Sequence, residues 1–176
     1  MTATVRTHTT GITMRSIIFD IVALGFIFLM PAFSHMLAFP LYFIEPMRIM
    51  VVLAMAHTHR NNAFLLALAL PLFSFVISGH PILVKAVIIS LELMVMAGIF
   101  YLLKKYIPLF PAIFSAIIVS KLFYFAVKFL VPLKAMQSLG YGNFFEFSLW
   151  IQLATSLVLS IYLWKMWKTS AGKASA

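Results

Sequence analysis

The sequence contains no cysteine. This absence excludes disulfides, thiolate nucleophiles and cysteine-ligated metal or iron–sulfur centres. The common enzyme signatures GxSxG and HExxH and the phosphate-binding glycine loop are missing as well. His57 and His59 form an HxH pattern, but two histidines without a third nearby ligand favour a solvated turn over a metal site. We therefore expect a protein that is not an enzyme and that binds neither a cofactor nor a metal ion.

Charged residues are also scarce, at 10% of the 176 residues, whereas hydrophobic residues make up 64% and the mean hydropathy is +1.07. An ordinary soluble domain is about 25% charged and about 45–50% apolar. Too few polar side chains are present to cover so much apolar surface in water. The composition therefore predicts an integral membrane protein, with lipid as its solvent and a single domain.

The few charges present are mostly positive, with 13 Lys and Arg against 4 Asp and Glu. These cations stand singly between apolar runs rather than on one basic face, which argues against nucleic-acid binding. Enrichment of Lys and Arg in cytoplasmic loops is the commoner cause of such an excess in membrane proteins.

Apolar runs long enough to cross a bilayer occur six times. Backbone groups in lipid need internal partners, so the runs predict an all-α bundle of six transmembrane helices. The predicted spans are residues 17–37, 40–57, 62–79, 82–103, 107–131 and 144–164. The second is the least regular, because Pro40, Glu45, Pro46 and Arg48 favour a partly unwound or re-entrant start.

Six crossings place both termini and two loops on one side. That side holds eight of the cations, whereas the opposite ends of the spans and their loops hold three, which are Arg48, Lys85 and Lys134. The positive-inside rule then makes both termini cytoplasmic in a multi-pass protein of the cell membrane. Residues 15–167 form the predicted transmembrane domain, and residues 1–14 and 168–176 form short cytoplasmic tails.

Two charges fall at the centre of predicted spans. Glu92 lies about ten residues into the fourth span and Lys121 about fourteen into the fifth, which runs the opposite way, so both reach a similar depth. A charge at the bilayer centre costs about 3 kcal/mol on insertion scales. Two interpretations remain open: a structural Glu92–Lys121 ion pair, or side chains that face a ligand in a cavity.

Further polar residues gather towards the predicted outer side, including Glu45, Arg48, His80 and the longest loop, residues 132–143. Taken one by one, each fits an ordinary interfacial belt. As a group on one side, they make an outward-facing site plausible. Cations exceed carboxylates among them, which leans slightly towards an anionic ligand.

The order of several motifs resembles a known family. The run PMRIMVVLA at residues 46–54 is followed by PLFSFVISGHP at 71–81, SLEL at 90–93, Ala97-Gly98, Lys104-Lys105, Ser115-Ala116 and Ser120-Lys121. Over about residues 46–130 this order resembles the S components, the substrate-binding membrane subunits of energy-coupling factor (ECF) vitamin transporters.

The resemblance implies a six-helix subunit that binds a vitamin-like small molecule at the outer side. It also implies partnership with a transmembrane coupling protein and two cytoplasmic ATPases. Carried onto this sequence, the substrate-binding residues would be Arg48, His80, Glu92, Lys121, Tyr141 and Asn143.

Two alternatives belong to other classes. A six-helix scaffold similar to the rod-shape membrane subunit of cell-wall machinery would use its small-residue helix faces for partners, and its outer polar residues would be plain interface. A small lipid-acting membrane enzyme has the least support, since no nucleophile–base or carboxylate pair can be assembled from the sequence.

Overall fold

The computed structural model describes residues 14–38, 41–79, 81–130 and 147–174, and these residues form six α-helices and one short 3-10 helix. The helices are α1 (Met14–Met36), α2 (Pro46–His57), α3 (Arg60–Ser78), α4 (Leu83–Leu103), α5 (Leu109–Leu130) and α6 (Phe147–Ala174), and the 3-10 helix is Leu41–Ile44. The predicted all-α class is confirmed. His80, Tyr141, Asn143 and the predicted outer loop 132–143 lie outside the described residues.

Within the described part of the chain, four helices are long and apolar enough to cross a membrane: α1, α3, α4 and, over Leu109–Val127, α5. Their outward faces carry large apolar side chains such as Ile18, Val76 and Leu122, each more than half exposed. Water would penalise such a surface, whereas hydrocarbon does not. The chain is therefore a multi-pass helical membrane protein.

Local signals set the boundary between α3 and α4. Gly79 adopts the left-handed conformation, with φ 65°, and its N–H donates to the carbonyl of Phe75 at 2.8 Å. Glycine pays no Cβ penalty at this position, which is the usual way to end a helix. Pro81 follows and cannot continue α3.

The second helix is shorter than its predicted span. Residues 40–57 were expected to cross the membrane, but α2 begins at Pro46 and contains 12 residues. At the helical rise it is about 18 Å long, against a hydrocarbon core of about 30 Å. Proline fits the first turn of a helix because it has no N–H to satisfy, so Pro46 starts α2 there.

The last helix is longer than predicted, since α6 ends at Ala174 rather than at residue 164. Residues 168–174, expected to be part of a tail, continue the helix. Lys168 and Lys173 lie in this extension. Lysine is a good helix former and favours the negative end of the helix dipole.

Short α2 lies at the centre of the bundle and packs against α1, α3, α4 and α6. Its side chains Val51, Val52, Ala54 and Met55 are at most 1% exposed. The helices around it approach closely through small residues, and the completely buried ones include Ala63, Ala67, Ala97, Ala112 and Ala116. Small residues at helix contacts are typical of membrane bundles, where close packing drives association.

A larger side chain in this close packing should destabilise the bundle. We expect Ala67→Leu to lower the free energy of unfolding by about 1–3 kcal/mol, because the extra atoms must displace a packed neighbour. Ala154→Leu on the exposed face of α6 is the matched control and should change the unfolding midpoint little. Thermal unfolding in detergent, followed by tryptophan fluorescence, measures both. Equal midpoints for the two variants would show that α3 is not tightly packed.

Candidate functional site

Two charges lie deep in the bundle on neighbouring antiparallel helices. The turn between Leu103 and Leu109 joins α4 and α5. Counted from this turn, Glu92 lies about 16 Å along α4 and Lys121 about 18 Å along α5. The equal depth predicted from the sequence is therefore present in the fold, and the Nζ of Lys121 lies 3.4 Å from Oε1 of Glu92.

The start of α2 reaches the same level. Arg48 in its first turn forms ion pairs with Glu92 on α4 and with Glu45, the residue that precedes α2. Glu45 also forms an ion pair with Lys121 on α5. We call Glu45, Arg48, Glu92 and Lys121 the charged quartet.

The quartet is balanced in formal charge, with two cations and two carboxylates, and it is mostly shielded. The side chains of Arg48 and Glu92 are each 4% exposed, whereas those of Lys121 and Glu45 are 16% and 17% exposed. The Nζ of Lys121 also lies 5.2 Å from the centre of the Tyr124 ring. The quartet thus has a closed side at Arg48 and Glu92 and a more accessible side at Lys121 and Glu45.

The backbone at Glu45 is unusual. Its φ is 55° and its ψ is 62°, in the left-handed region, although it is not glycine. Residues in this region cost about 1–3 kcal/mol and persist where the surrounding structure fixes them, often at functional sites. Glu45 is the N-cap of α2, yet its side chain makes no capping hydrogen bond, and its carboxylate is directed to Arg48 and Lys121 instead.

A helix that begins at mid-depth brings a further electrostatic contribution. The N-terminal end of α2 carries the positive end of the helix dipole, equivalent to about half an elementary charge. Glu45 stands at that end, with Arg48 in the first turn. In transporters, broken helices with termini at the membrane midplane build substrate sites in this way.

One nitrogen of the quartet has neither a hydrogen bond nor an ion pair with the described residues. The Nε of Arg48 is buried and makes no hydrogen bond to any residue in the described part of the chain. A buried guanidinium N–H without an acceptor costs free energy, so it offers a strong donor to any acceptor that can reach it.

Of the six predicted site residues, the structure brings Arg48, Glu92 and Lys121 together; the other three lie outside the described residues, as stated above. Glu45 was expected only as part of the outer polar group. The sequence feature that could have assigned Glu45 to the site was its position three residues before Arg48, because residues three apart along a helix are neighbours.

Gln152 on α6 was also missed. Tyr162, further along α6, accepts or donates a hydrogen bond of 2.7 Å with His57 at the end of α2. Gln152 lies about 15 Å before Tyr162, and Arg48 lies about 14 Å before His57. Gln152 therefore lies at the same depth as the quartet. Its polar amide within an apolar span was the sequence feature that could have identified it.

The other end of the bundle carries a separate set of polar contacts. Arg15 at the start of α1 lies 3.4 Å from His57, and Asn62 donates a 2.7 Å hydrogen bond to Asp20. Among the described residues, no group of three histidine, aspartate or glutamate side chains is placed to hold a metal ion.

No family model, no curated protein and no solved structure matches this chain. The similarity to S components therefore rests on the order of the quoted motifs.

Proposed function

We propose that this chain is the solute-binding membrane subunit of an uptake transporter of the ECF type, and that the charged quartet forms part of its solute site. The observation that carries the proposal is the meeting of four ionisable side chains at mid-depth, at the start of a helix that spans only about half of the bilayer.

Stability alone gives little reason to keep this arrangement. Each charge costs about 3 kcal/mol to place at the centre of a membrane. Replacing buried ion pairs by well-packed apolar residues is often neutral or stabilising. The chain has only four carboxylates, and two of them are in the quartet. A role in solute binding would explain why the chain keeps these buried charges, whose free-energy cost packing does not require.

The charge balance of the quartet narrows the chemistry of the proposed solute. Cations exceed carboxylates among the outer residues of the sequence, which favoured an anion, but within the quartet each cation already has a carboxylate partner. A purely anionic solute would leave one carboxylate uncompensated in a low-dielectric site. We infer a small polar solute that carries an acceptor or carboxylate for Arg48 and Lys121 and a donor or cationic group for Glu45.

The proposed topology has six crossings of the cell membrane with both termini in the cytoplasm. Arg15, Arg60, Lys104 and Lys105 then lie at the cytoplasmic end, as the positive-inside rule requires. The solute would enter from the opposite side, and a transmembrane coupling protein and two ATPases would supply the energy. The sequence has no phosphate-binding glycine loop of its own. We propose no catalytic role.

Co-purification tests this proposal directly. We expect native mass spectrometry of the tagged protein, purified from its own cells, to show a small-molecule adduct together with a second membrane protein and two ATPases. Lys121→Met should lose the adduct and keep the proteins. Lys165→Met, at an exposed position near the far end of α6, is the matched control and should keep both. Purification with cell-wall enzymes and without any adduct would support the scaffold alternative instead.

A further inference from the structure

The start of α2 carries hydrogen-bond donors that the helix itself does not use. The first bond of the helical pattern runs from the N–H of Ile49 to the carbonyl of Glu45, at 3.2 Å. The N–H groups of Met47 and Arg48 come before it and, as at the start of any helix, have no intrahelical acceptor. The side chain of Glu45, the N-cap residue, makes no capping bond to them. These two donors therefore face the space before α2, at the positive end of the helix dipole.

The side chain of Arg48 reaches the same space. Its Nη1 pairs with Glu45, which immediately precedes α2, and its Nη2 pairs with Glu92 on α4. A guanidinium has a third donor at Nε–H, and in Arg48 this donor has no partner among the described residues, although the side chain is only 4% exposed. A buried charged donor without an acceptor costs free energy, so an acceptor that reaches Nε is bound favourably.

A carboxylate fits this set of donors better than a neutral acceptor does. Its two oxygens can accept from the guanidinium edge and from the main-chain N–H groups at the same time. Its negative charge is also stabilised by the helix dipole, from which a neutral carbonyl gains much less. The guanidinium edge and the start of α2 therefore form a subsite for a carboxylate.

Charge balance then determines what the rest of the solute carries. The quartet is neutral by itself, so a bound carboxylate adds an uncompensated negative charge beside Glu45 and Glu92. A cationic group on the same solute removes that excess. Glu45 is its expected partner, because Glu45 lies on the more accessible side of the quartet, with its side chain 17% exposed against 4% for Glu92. The carboxylate end of the solute would thus lie deep and the cationic end shallow.

We propose that the solute is a zwitterion whose carboxylate binds Nε of Arg48 and the main-chain N–H groups of Met47 and Arg48, and whose cationic group lies beside Glu45. This inference rests on the proposed function, and it names the chemical class of the solute and the orientation in which the site holds it. An amide or ester of the same solute should be rejected, because it brings no negative charge to these donors.

The chemistry of the co-purified solute provides the first test. The small molecule released from heat-denatured wild-type protein should show no net charge in capillary electrophoresis at neutral pH. Carbodiimide and methylamine convert carboxylates into neutral methylamides, so the treated molecule should migrate as a cation and should no longer rebind to protein washed free of its adduct. Native mass spectrometry measures the rebinding, and a mock-treated sample is the control. Migration of the untreated molecule as an anion, or rebinding of the methylamide, would overturn the inference.

Competition on the wild-type protein tests the subsite without any mutation. Acetate and acetamide have nearly the same shape, but only acetate carries a charge. We expect acetate at high millimolar concentration to reduce rebinding of the released molecule and acetamide to leave it unchanged. Equal competition by the two, or none by either, would assign the third edge of Arg48 to a water molecule or to a neutral group and would overturn the inference.

Arg48→Lys identifies the residue. Lysine keeps the positive charge, so the quartet stays balanced and the unfolding midpoint should stay close to that of the wild type, but Nε–H and the planar fork are lost. We expect the released molecule to bind about 10–100-fold more weakly, as the loss of one charge-assisted hydrogen bond predicts. Arg15→Lys makes the same chemical change at the other end of the bundle and should bind it normally. Unchanged binding by Arg48→Lys would contradict the assignment.

The outcomes separate this inference from the proposal on which it rests. A wild-type protein that carries no small molecule would overturn both. A bound molecule without a carboxylate, or one that acetate does not displace, would overturn the zwitterion alone and leave a solute-binding subunit. If Arg48→Lys failed to fold, the electrophoresis and the acetate competition would still decide, because both use the wild-type protein.

Discussion

Glu92→Leu should destabilise the protein by about 3–5 kcal/mol, because it leaves Arg48 and Lys121 to share the single carboxylate of Glu45 in the centre of the bundle. Arg48→Met should have a similar effect for the opposite reason, since it leaves Glu92 and Glu45 to share the single cation Lys121. Each single change converts a neutral quartet into one with a net charge. Unfolding midpoints in detergent, compared with the wild type, measure the loss.

The double variant Arg48→Met/Glu92→Leu separates structure from function. It removes one charge of each sign and leaves the Glu45–Lys121 pair, so we expect it to recover most of the stability lost in the single variants. We do not expect it to recover the solute adduct, because the deep side of the site would then be apolar. A stable double variant that still binds the solute would reject Arg48 and Glu92 as binding residues. An unstable double variant would show that Arg48 and Glu92 stabilise the bundle by more than the compensation of each other's charge.

The sequence predicted the long helices well because local signals mark their ends. The span expected at residues 82–103 is observed as Leu83–Leu103, and the span expected at 62–79 as Arg60–Ser78. Glycine and proline act within a few residues, so Gly79 and Pro81 can be interpreted without knowledge of the tertiary fold. Apolar runs of this length leave few alternatives to a helix in lipid.

The start of α2 could not be placed in the same way. Hydropathy over residues 40–57 is compatible with a full span, and the irregular start was expected only in general terms. What fixes it is tertiary: Glu45 and Arg48 contact side chains on α4 and α5, which are 44 and 76 residues further along the chain in the pairs Arg48–Glu92 and Glu45–Lys121. No local pattern encodes contacts at that separation.

The site was partly predictable for a related reason. Counting residues from the α4–α5 turn gives depth, and depth alone placed Glu92 beside Lys121. Depth does not give direction around the helix axis, so the count could not show that Glu92 also contacts Arg48. The charge balance of the quartet follows from that contact and from Glu45. It therefore needed the structure, and with it the expected solute changed from an anion to a molecule with groups of both kinds.

Lys121→Cys should remove the solute adduct, and reaction with 2-aminoethyl methanethiosulfonate should restore it. The natural sequence has no cysteine, so the introduced thiol is the only one that can react. The product is a disulfide that ends in an ammonium group, slightly further from the backbone than in lysine, and it returns the quartet to charge balance. We expect the unfolding midpoint to recover along with the adduct, when the labelled protein is given the small molecules released from heat-denatured wild-type protein.

Two controls determine what this rescue means. The anionic 2-sulfonatoethyl reagent, reacting at the same thiol, should restore neither the midpoint nor the adduct, because it adds a third negative charge beside Glu45 and Glu92.

Leu91→Cys places a thiol at the same depth on the lipid-facing side of α4 and should not react, because these reagents attack the thiolate, which forms only in contact with water. If Lys121→Cys were equally inert, the accessible side of the quartet would be dry, and a polar solute could not reach it. Reaction at position 121 but not at 91 would instead mean that water enters the bundle beside Lys121 and Glu45, where the two side chains are most exposed.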